Sequence, residues 1–115
     1  MRIRYIAIAC AALMAATPAY SDDITGSELY RRCETPRGSS EYTWCTGYAM
    51  GFLSRYREVC KLEKEPAMEA TQARSIVEKY LRDHPGQLNE NAGVIVGRAF
   101  HEVLGCPKKD WKNRI

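Results

Sequence analysis

This chain of 115 residues contains five cysteines, the residues whose side chains can form disulfides, bind metals or act in redox reactions. Cys10 lies in an apolar N-terminal run, and the other four are Cys33, Cys45, Cys60 and Cys106. A zinc site or a thiol oxidoreductase favours cysteines about two residues apart, whereas these four are at least a dozen apart. The spacing therefore argues against a metal or redox site, and an even number of such cysteines predicts disulfides if the chain is exported.

Histidine and serine do not complete a catalytic pattern in this sequence. His101 and Glu102 form half of a metalloprotease motif, but the position of the second ligand, four residues further on, is Gly105. His84 lacks a nearby nucleophile and is expected to end a helix, and the serine pair at 39–40 lacks the Gly-x-Ser-x-Gly context of a nucleophile. We therefore expect a protein that is not an enzyme and that holds no metal and no cofactor.

The first 21 residues have the pattern of a signal peptide. Arg2 and Arg4 precede an apolar run of about a dozen residues, which is shorter than the roughly 20 that span a bilayer, and small residues follow it. We expect cleavage before Asp22, with cleavage after Ala19 as the second choice and a lipoprotein anchored at Cys10 as a further alternative. The mature chain, 22–115, is then expected in the periplasm with no membrane attachment.

The charge of the mature chain is almost balanced. Loss of Arg2 and Arg4 lowers the formal net charge from +3 to +1, and the remaining charges of both signs are interspersed. A nucleic-acid-binding protein shows a basic stripe instead, so we expect no nucleic-acid partner. A single domain of this size buries only about 60–65% of its unfolded surface, and disulfides would help to stabilise it.

Helical periodicity predicts an all-α fold: a small four-helix bundle-like domain clamped by two disulfides. The first helix is predicted over 27–33, behind a Thr25-x-x-Glu28 capping box, and the second over 43–60. The third is predicted to be capped by Thr71 and to end before His84. The fourth is predicted to be capped by Asn89 and to stop at Gly105, and the tail beyond it is expected to be loose, with Trp111 as a candidate anchor.

Four aromatic residues, Trp44, Tyr48, Phe52 and Tyr56, recur at intervals of four along the predicted second helix. We expect this row to belong to the core; the alternative is a partly exposed row that serves as a dimer or partner surface. Gly47 and Gly51 lie one turn apart on the same helix and would let another backbone approach closely. On the fourth helix the apolar side is predicted to include Ile95, Val96, Phe100 and Val103.

Helix geometry selects one disulfide pairing among three. Cys45 and Cys60 lie near opposite ends of one helix, about 22 Å apart, which is far beyond the roughly 7 Å between Cα atoms that a disulfide tolerates. Cys33 ends the first helix near the start of the second, and Cys60 and Cys106 end helices at the same end of the predicted bundle. The predicted bridges are therefore Cys33 to Cys45 and Cys60 to Cys106.

The order of these motifs resembles the Rap/Tai family of periplasmic immunity proteins. The resemblance rests on CTGYAMG (45–51), on VEKYLRDHP (77–85) and on the four cysteines around them, and it covers about residues 24–106. It implies a helical protein, commonly a homodimer, that binds and inhibits a peptidoglycan amidase effector delivered by type VI secretion.

The resemblance does not specify which residues contact the amidase, and a second function remains as an alternative. Binding is expected through two polar loops, at Arg37, Glu41 and Tyr42 in the first and at Glu63, Lys64 and Glu65 in the second, because partner choice usually resides in loops. The rival is a periplasmic stress or binding protein on the same scaffold that resembles the HdeA-type acid chaperones. Such chaperones loosen at low pH, which two disulfides would resist.

Overall fold

The computed structural model describes residues 24–62 and 67–115, and the predicted signal peptide lies outside them. In chain order the helices are α1 (Gly26–Cys33), α2 (Ser40–Cys60), α3 (Ala70–Asp83), α4 (Ala92–Leu104) and α5 (Trp111–Arg114), with a 3₁₀ turn over Pro85–Gln87. The described residues contain no β-strand. The all-α fold is confirmed, and none of the described helices is long and apolar enough to cross a membrane.

The first four helices surround one apolar core. Helix α2 packs on α1, α3 and α4, and its inner face contributes Ala49, Leu53 and Tyr56. Burial of such side chains contributes roughly 1.5–3 kcal/mol each before chain entropy is subtracted. The largest side chains with less than 2% exposure are Tyr56, Phe100, Leu29, Leu53, Leu81, Ile95, Val77 and Val96.

Two hydrogen bonds pin the start of α1 against the segment before α4. The N–H of Gly26 donates to the carbonyl of Glu90 at 2.9 Å, and the N–H of Ala92 donates to the carbonyl of Ile24 at 2.8 Å. A Cβ at position 26 would lie 2.5 Å from the Cδ1 atom of Ile95. The same Cβ would lie 3.1 Å from the Cα and the carbonyl oxygen of Leu88, so glycine lets α1 pack closely here.

Helix capping differs from the sequence prediction at three of four N-termini. The Thr25 side chain caps α1 as expected, but Ser39 caps α2, so this helix begins at Ser40 and not at 43. Helix α3 is preceded by Glu69, not Thr71, and Asn91, not Asn89, caps α4 by accepting from two backbone N–H groups. Each correct cap lies one to four residues from the predicted start because several capping residues cluster there.

Both predicted disulfides are confirmed. Cys33 is bonded to Cys45 and Cys60 to Cys106, with Cα atoms 5.2 Å apart in each pair. The first bridge joins the end of α1 to the second turn of α2, and the second joins the end of α2 to the segment after α4. Gly105 lies just before Cys106 and has a φ of 71°, which favours glycine at the predicted helix stop.

The C-terminal tail is more ordered than the sequence predicted. Trp111 is only 6% exposed, and it stacks on His101 and meets Tyr56 edge to face. A guanidinium nitrogen of Arg55 donates to the carbonyl of Arg114 at 3.0 Å. The prediction of a loose tail was wrong, because the predicted anchor Trp111 packs against α2 and α4 and α5 forms around it.

Candidate partner-binding surface

The first predicted contact loop is a short turn over 34–39 between α1 and α2. Arg37 lies at its tip and is exposed. The two ends of the turn are held together, because Cys33 and Cys45 are disulfide-bonded across it and the Ser39 hydroxyl donates to the Thr35 hydroxyl at 3.0 Å. The turn is therefore pre-organised.

Glu41 and Tyr42 were expected in this loop, and that placement was wrong. Both lie in the first turn of α2, because the Ser39 side chain accepts a hydrogen bond from the N–H of Tyr42 and starts the helix earlier. Glu41 is part-exposed, and its carboxylate accepts a hydrogen bond from Arg31 at 3.3 Å. This places Glu41 beside the turn but already in an ion pair.

Tyr42 belongs to a half-buried polar cluster rather than to an open loop. The guanidinium of Arg74 lies 4.4 Å from the centre of the Tyr42 ring, and Arg74 also pairs with Glu78 at 3.3 Å. Glu34, at the end of α1, faces Glu78, and its carboxyl pKa is raised mainly by a hydrogen bond with that carboxyl and then by burial. Arg74 and Arg82 oppose the shift by lowering the Glu34 pKa.

The second set of predicted contacts, Glu63, Lys64 and Glu65, lies outside the described residues. The structure describes what flanks them. Lys61 ends α2 with a φ of 59°, in the left-handed region, and α3 begins at Ala70. The first predicted contact segment therefore ends within the first turn of α2, and the second follows the end of α2 in the sequence.

The aromatic row of α2 divides into two parts. Tyr56 has 0% exposure, its pKa is raised to about 12 by burial, and its hydroxyl donates to the carbonyl of Gly105 at 2.6 Å. Trp44, Tyr48 and Phe52 are only partly buried. The core prediction thus holds fully for Tyr56. Trp44, Tyr48 and Phe52 pack against the core but stay partly exposed, which lies between the two predictions.

These three aromatic side chains, Trp44, Tyr48 and Phe52, form a stacked row that packs against the core and is partly exposed, and we call it the aromatic row. Their ring centroids are 5.1 Å and 5.9 Å apart, and the guanidinium of Arg32 lies 4.2 Å from the Trp44 ring. Aromatic surfaces of this kind are enriched in protein interfaces.

An open groove of 590 Å³ lies beside the aromatic row, between α2, α4 and α5. Its apolar lining includes Gly47, Gly51 and Phe52 of α2, and Val94 of α4, which is 48% exposed. Val103, further along α4, was predicted on the apolar side of the helix but is 56% exposed. The groove was not predicted from the sequence. The close approach of another backbone that was expected at Gly47 and Gly51 does not occur among the described residues, since a Cβ at either position would meet nothing within 4 Å.

The remaining chemistry-bearing side chains have structural partners. The Nδ1 atom of His84 lies 2.8 Å from the carbonyl oxygen of Tyr80, at the end of α3, and His101 stacks on Trp111. In the part of the chain that the structure describes, no group of three or more His, Cys, Asp or Glu residues could hold a metal ion. The four cysteines of this part are all in disulfides.

The structure thus describes a small helical domain with two disulfides, a clamped turn, a partly exposed aromatic row and an apolar groove. The family model for Rap1a immunity proteins matches residues 25–106, so the chain belongs to the Rap1a immunity protein family. It is therefore an immunity protein, a class of protein that binds a cognate secreted effector. Comparison with curated proteins and with solved structures gave no match.

Proposed function

We propose that this immunity protein is exported to the periplasm and inhibits a peptidoglycan amidase delivered by type VI secretion. The observation that carries the proposal is the family match over residues 25–106. Export is supported by the signal-like sequence of the first 21 residues and by two disulfides, which form in oxidising compartments. The protein would protect the producing cell and its kin from the effector.

Inhibition by occlusion requires a rigid surface that fills the substrate groove of the amidase. The turn that carries Arg37 suits this role, because the disulfide across it limits the conformational entropy lost on binding. Glu41 and Tyr42 lie beside the turn, and we propose that they and the segment with Glu63, Lys64 and Glu65 complete the contact. An exposed charge such as Arg37 would steer and orient the partner more than it would stabilise the fold.

The protein is further proposed to act as a homodimer, as the resemblance to the Rap/Tai family implies. Two copies would present two clamped turns and could inhibit two amidase molecules. The aromatic row of α2 supports the proposal, since part of the surface of its rings is exposed to water in a monomer.

The direct experiment mixes the mature protein with the amidase encoded beside its gene and measures digestion of purified cell wall. We expect the native protein to abolish digestion and to co-elute with the amidase in gel filtration. An Arg37→Glu variant is expected to inhibit more weakly, whereas Lys109→Glu, an equal charge reversal in the exposed tail outside the family match, is expected to inhibit fully.

Two outcomes would contradict the proposal. One is full amidase activity in the presence of an excess of folded native protein. The other is a native protein that ignores the amidase but keeps acid-denatured client proteins soluble, which would favour the rival chaperone function.

A further inference from the structure

The outward face of α2 is unusual for a surface helix. The exposed residues Ser40, Thr43, Gly47, Gly51 and Ser54 follow one another along this face, and all are small and uncharged. Between Glu41 and Arg55 the helix carries no charged residue at all. A helix that faces water normally carries charged residues on its outer side, so this face has the composition of a contact surface.

The two glycines on this face have no role within the described fold. A Cβ at Gly47 or Gly51 would meet nothing within 4 Å, and neither glycine has a positive φ. By contrast, a Cβ at Gly93 would lie 3.2 Å from the Phe52 ring, and one at Gly97 would lie 3.0 Å from Trp111. Glycine inside a helix lowers its stability relative to alanine, so the pair at 47 and 51 weakens α2 without serving the monomer.

We propose that the outward face of α2 is the homodimer interface, where two copies of α2 cross in antiparallel orientation at Gly47 and Gly51. The two-fold axis crosses the outward face between Gly47 and Gly51, at the height of the buried Ala49 along the helix, so that Gly47 of each copy lies opposite Gly51 of the other. Small residues at such a crossing let the two backbones approach closely. This inference rests on the homodimer that the proposed function includes, and it specifies the surface.

Charge complementarity favours a second copy as the occupant. Glu41 lies eight residues before Ala49 and Arg55 six residues after it, or about 12 Å and 9 Å from the axis along the helix. The two-fold operation therefore brings Arg55 of one copy beside Glu41 of the other, and does so twice.

The neighbouring charges extend this pairing with the correct signs. Within one copy, Glu41 pairs with Arg31 and Arg55 pairs with Glu58. When the two pairs meet in the antiparallel dimer, positive and negative charges alternate. A parallel dimer would instead place each charge beside its own copy, so the antiparallel orientation is favoured.

The aromatic row adds apolar area to the same interface. Trp44, Tyr48 and Phe52 lie along one edge of the small-residue face. In the antiparallel dimer the aromatic edges of the two copies lie side by side, on the same side of the helix pair. Val94 and the groove adjoin this edge. Burial of these partly exposed rings would supply most of the association free energy, because apolar area is the main source of affinity between proteins.

Sedimentation equilibrium of the mature protein, without any amidase, tests the inference. We expect the native protein to be a dimer and Gly51→Arg to be a monomer, with a dissociation constant at least about a hundredfold higher, because a buried unpaired charge opposes association. The matched control is Ser75→Arg on the exposed side of α3, which is expected to remain a dimer.

A second variant separates loss of the interface from loss of the fold. Gly47→Ala combined with Gly51→Ala is expected to raise the thermal unfolding midpoint of the monomer, through better helix propensity, while it weakens the dimer. A native protein that is monomeric at every concentration would overturn the inference, as would a Gly51→Arg variant that still dimerises or a Ser75→Arg variant that does not. Because no amidase is present, these outcomes are independent of whether the protein inhibits one.

Discussion

The hydroxyl of Tyr56 in α2 donates a 2.6 Å hydrogen bond to the carbonyl of Gly105, where α4 ends. Gly105 immediately precedes Cys106, whose disulfide partner Cys60 lies one turn beyond Tyr56 on α2. A side-chain hydrogen bond and a covalent bond therefore fasten the same two chain segments side by side. The end of the domain away from the clamped turn is rigid for this reason.

Replacing Tyr56 by Phe is expected to destabilise the protein by about 1–2 kcal/mol, because the Gly105 carbonyl loses its partner and stays poorly solvated. Urea unfolding measured by circular dichroism checks the value. Tyr30→Phe is the matched control, since Tyr30 is only partly buried and should change stability by less than about 0.5 kcal/mol. Equal effects of the two substitutions would contradict the role assigned to the Tyr56 hydrogen bond.

Removal of the second disulfide by the double replacement of Cys60 and Cys106 with Ala is expected to destabilise the domain by about 4 kcal/mol, because the bridge closes a long loop. The bridge spans a sequence separation of 46 residues, against 12 for the bridge between Cys33 and Cys45. Removal of the first bridge is accordingly expected to cost less, about 3 kcal/mol. Non-reducing peptide mapping should recover both linkages, and a peptide that links Cys45 to Cys60 would refute the pairing.

Glu34 is expected to make the stability of the protein fall as the pH rises through the acidic range. Its pKa is raised by the hydrogen bond with Glu78 and by burial, so the folded state holds the proton more tightly than the unfolded chain does. The stabilising contribution is complete below the ordinary glutamate pKa and is lost as the pH rises through the raised pKa.

The variant Glu34→Gln, which keeps an amide in place of the protonated carboxyl, should lose this part of the pH dependence. Thermal unfolding midpoints measured between pH 3 and pH 7 test it, with Glu102→Gln on the exposed side of α4 as the control. Parallel curves for native protein and Glu34→Gln would show that the pair of carboxyl groups does not share a proton.

The disulfides could be predicted from the sequence because helix length excluded one pairing, and the helix ends at which the cysteines lie decided between the other two. Cys45 and Cys60 are separated by the length of α2, which no choice of loop conformation can change. The N-caps were predicted less well, since several capping residues lie close together and only the folded chain selects among them. At α2 the Ser39 side chain starts the helix at the end of a segment of turn formers, and the predicted loop lost its last three residues to the helix.

The four aromatic residues of α2 are buried to different degrees for a geometric reason. Each step of four residues advances about 40° beyond a full helical turn, so four aromatics at this spacing spiral round the helix and do not stay on one face. Trp44 at the start of the spiral is partly exposed, whereas Tyr56 at its end is fully buried. Likewise the groove depends on how α4 and α5 meet α2, which the pattern of any single helix does not contain.

Calorimetric titration of the mature protein into the amidase encoded beside its gene tests the central claim most directly. We predict saturable binding with an affinity in the nanomolar range, typical of pre-organised inhibitor complexes, and a loss of affinity on Arg37→Glu that Lys109→Glu does not reproduce. The thermal midpoint of Arg37→Glu should match that of the native protein, because an exposed turn charge contributes little to stability. If both proteins are folded and neither calorimetry nor gel filtration detects a complex, the account is contradicted.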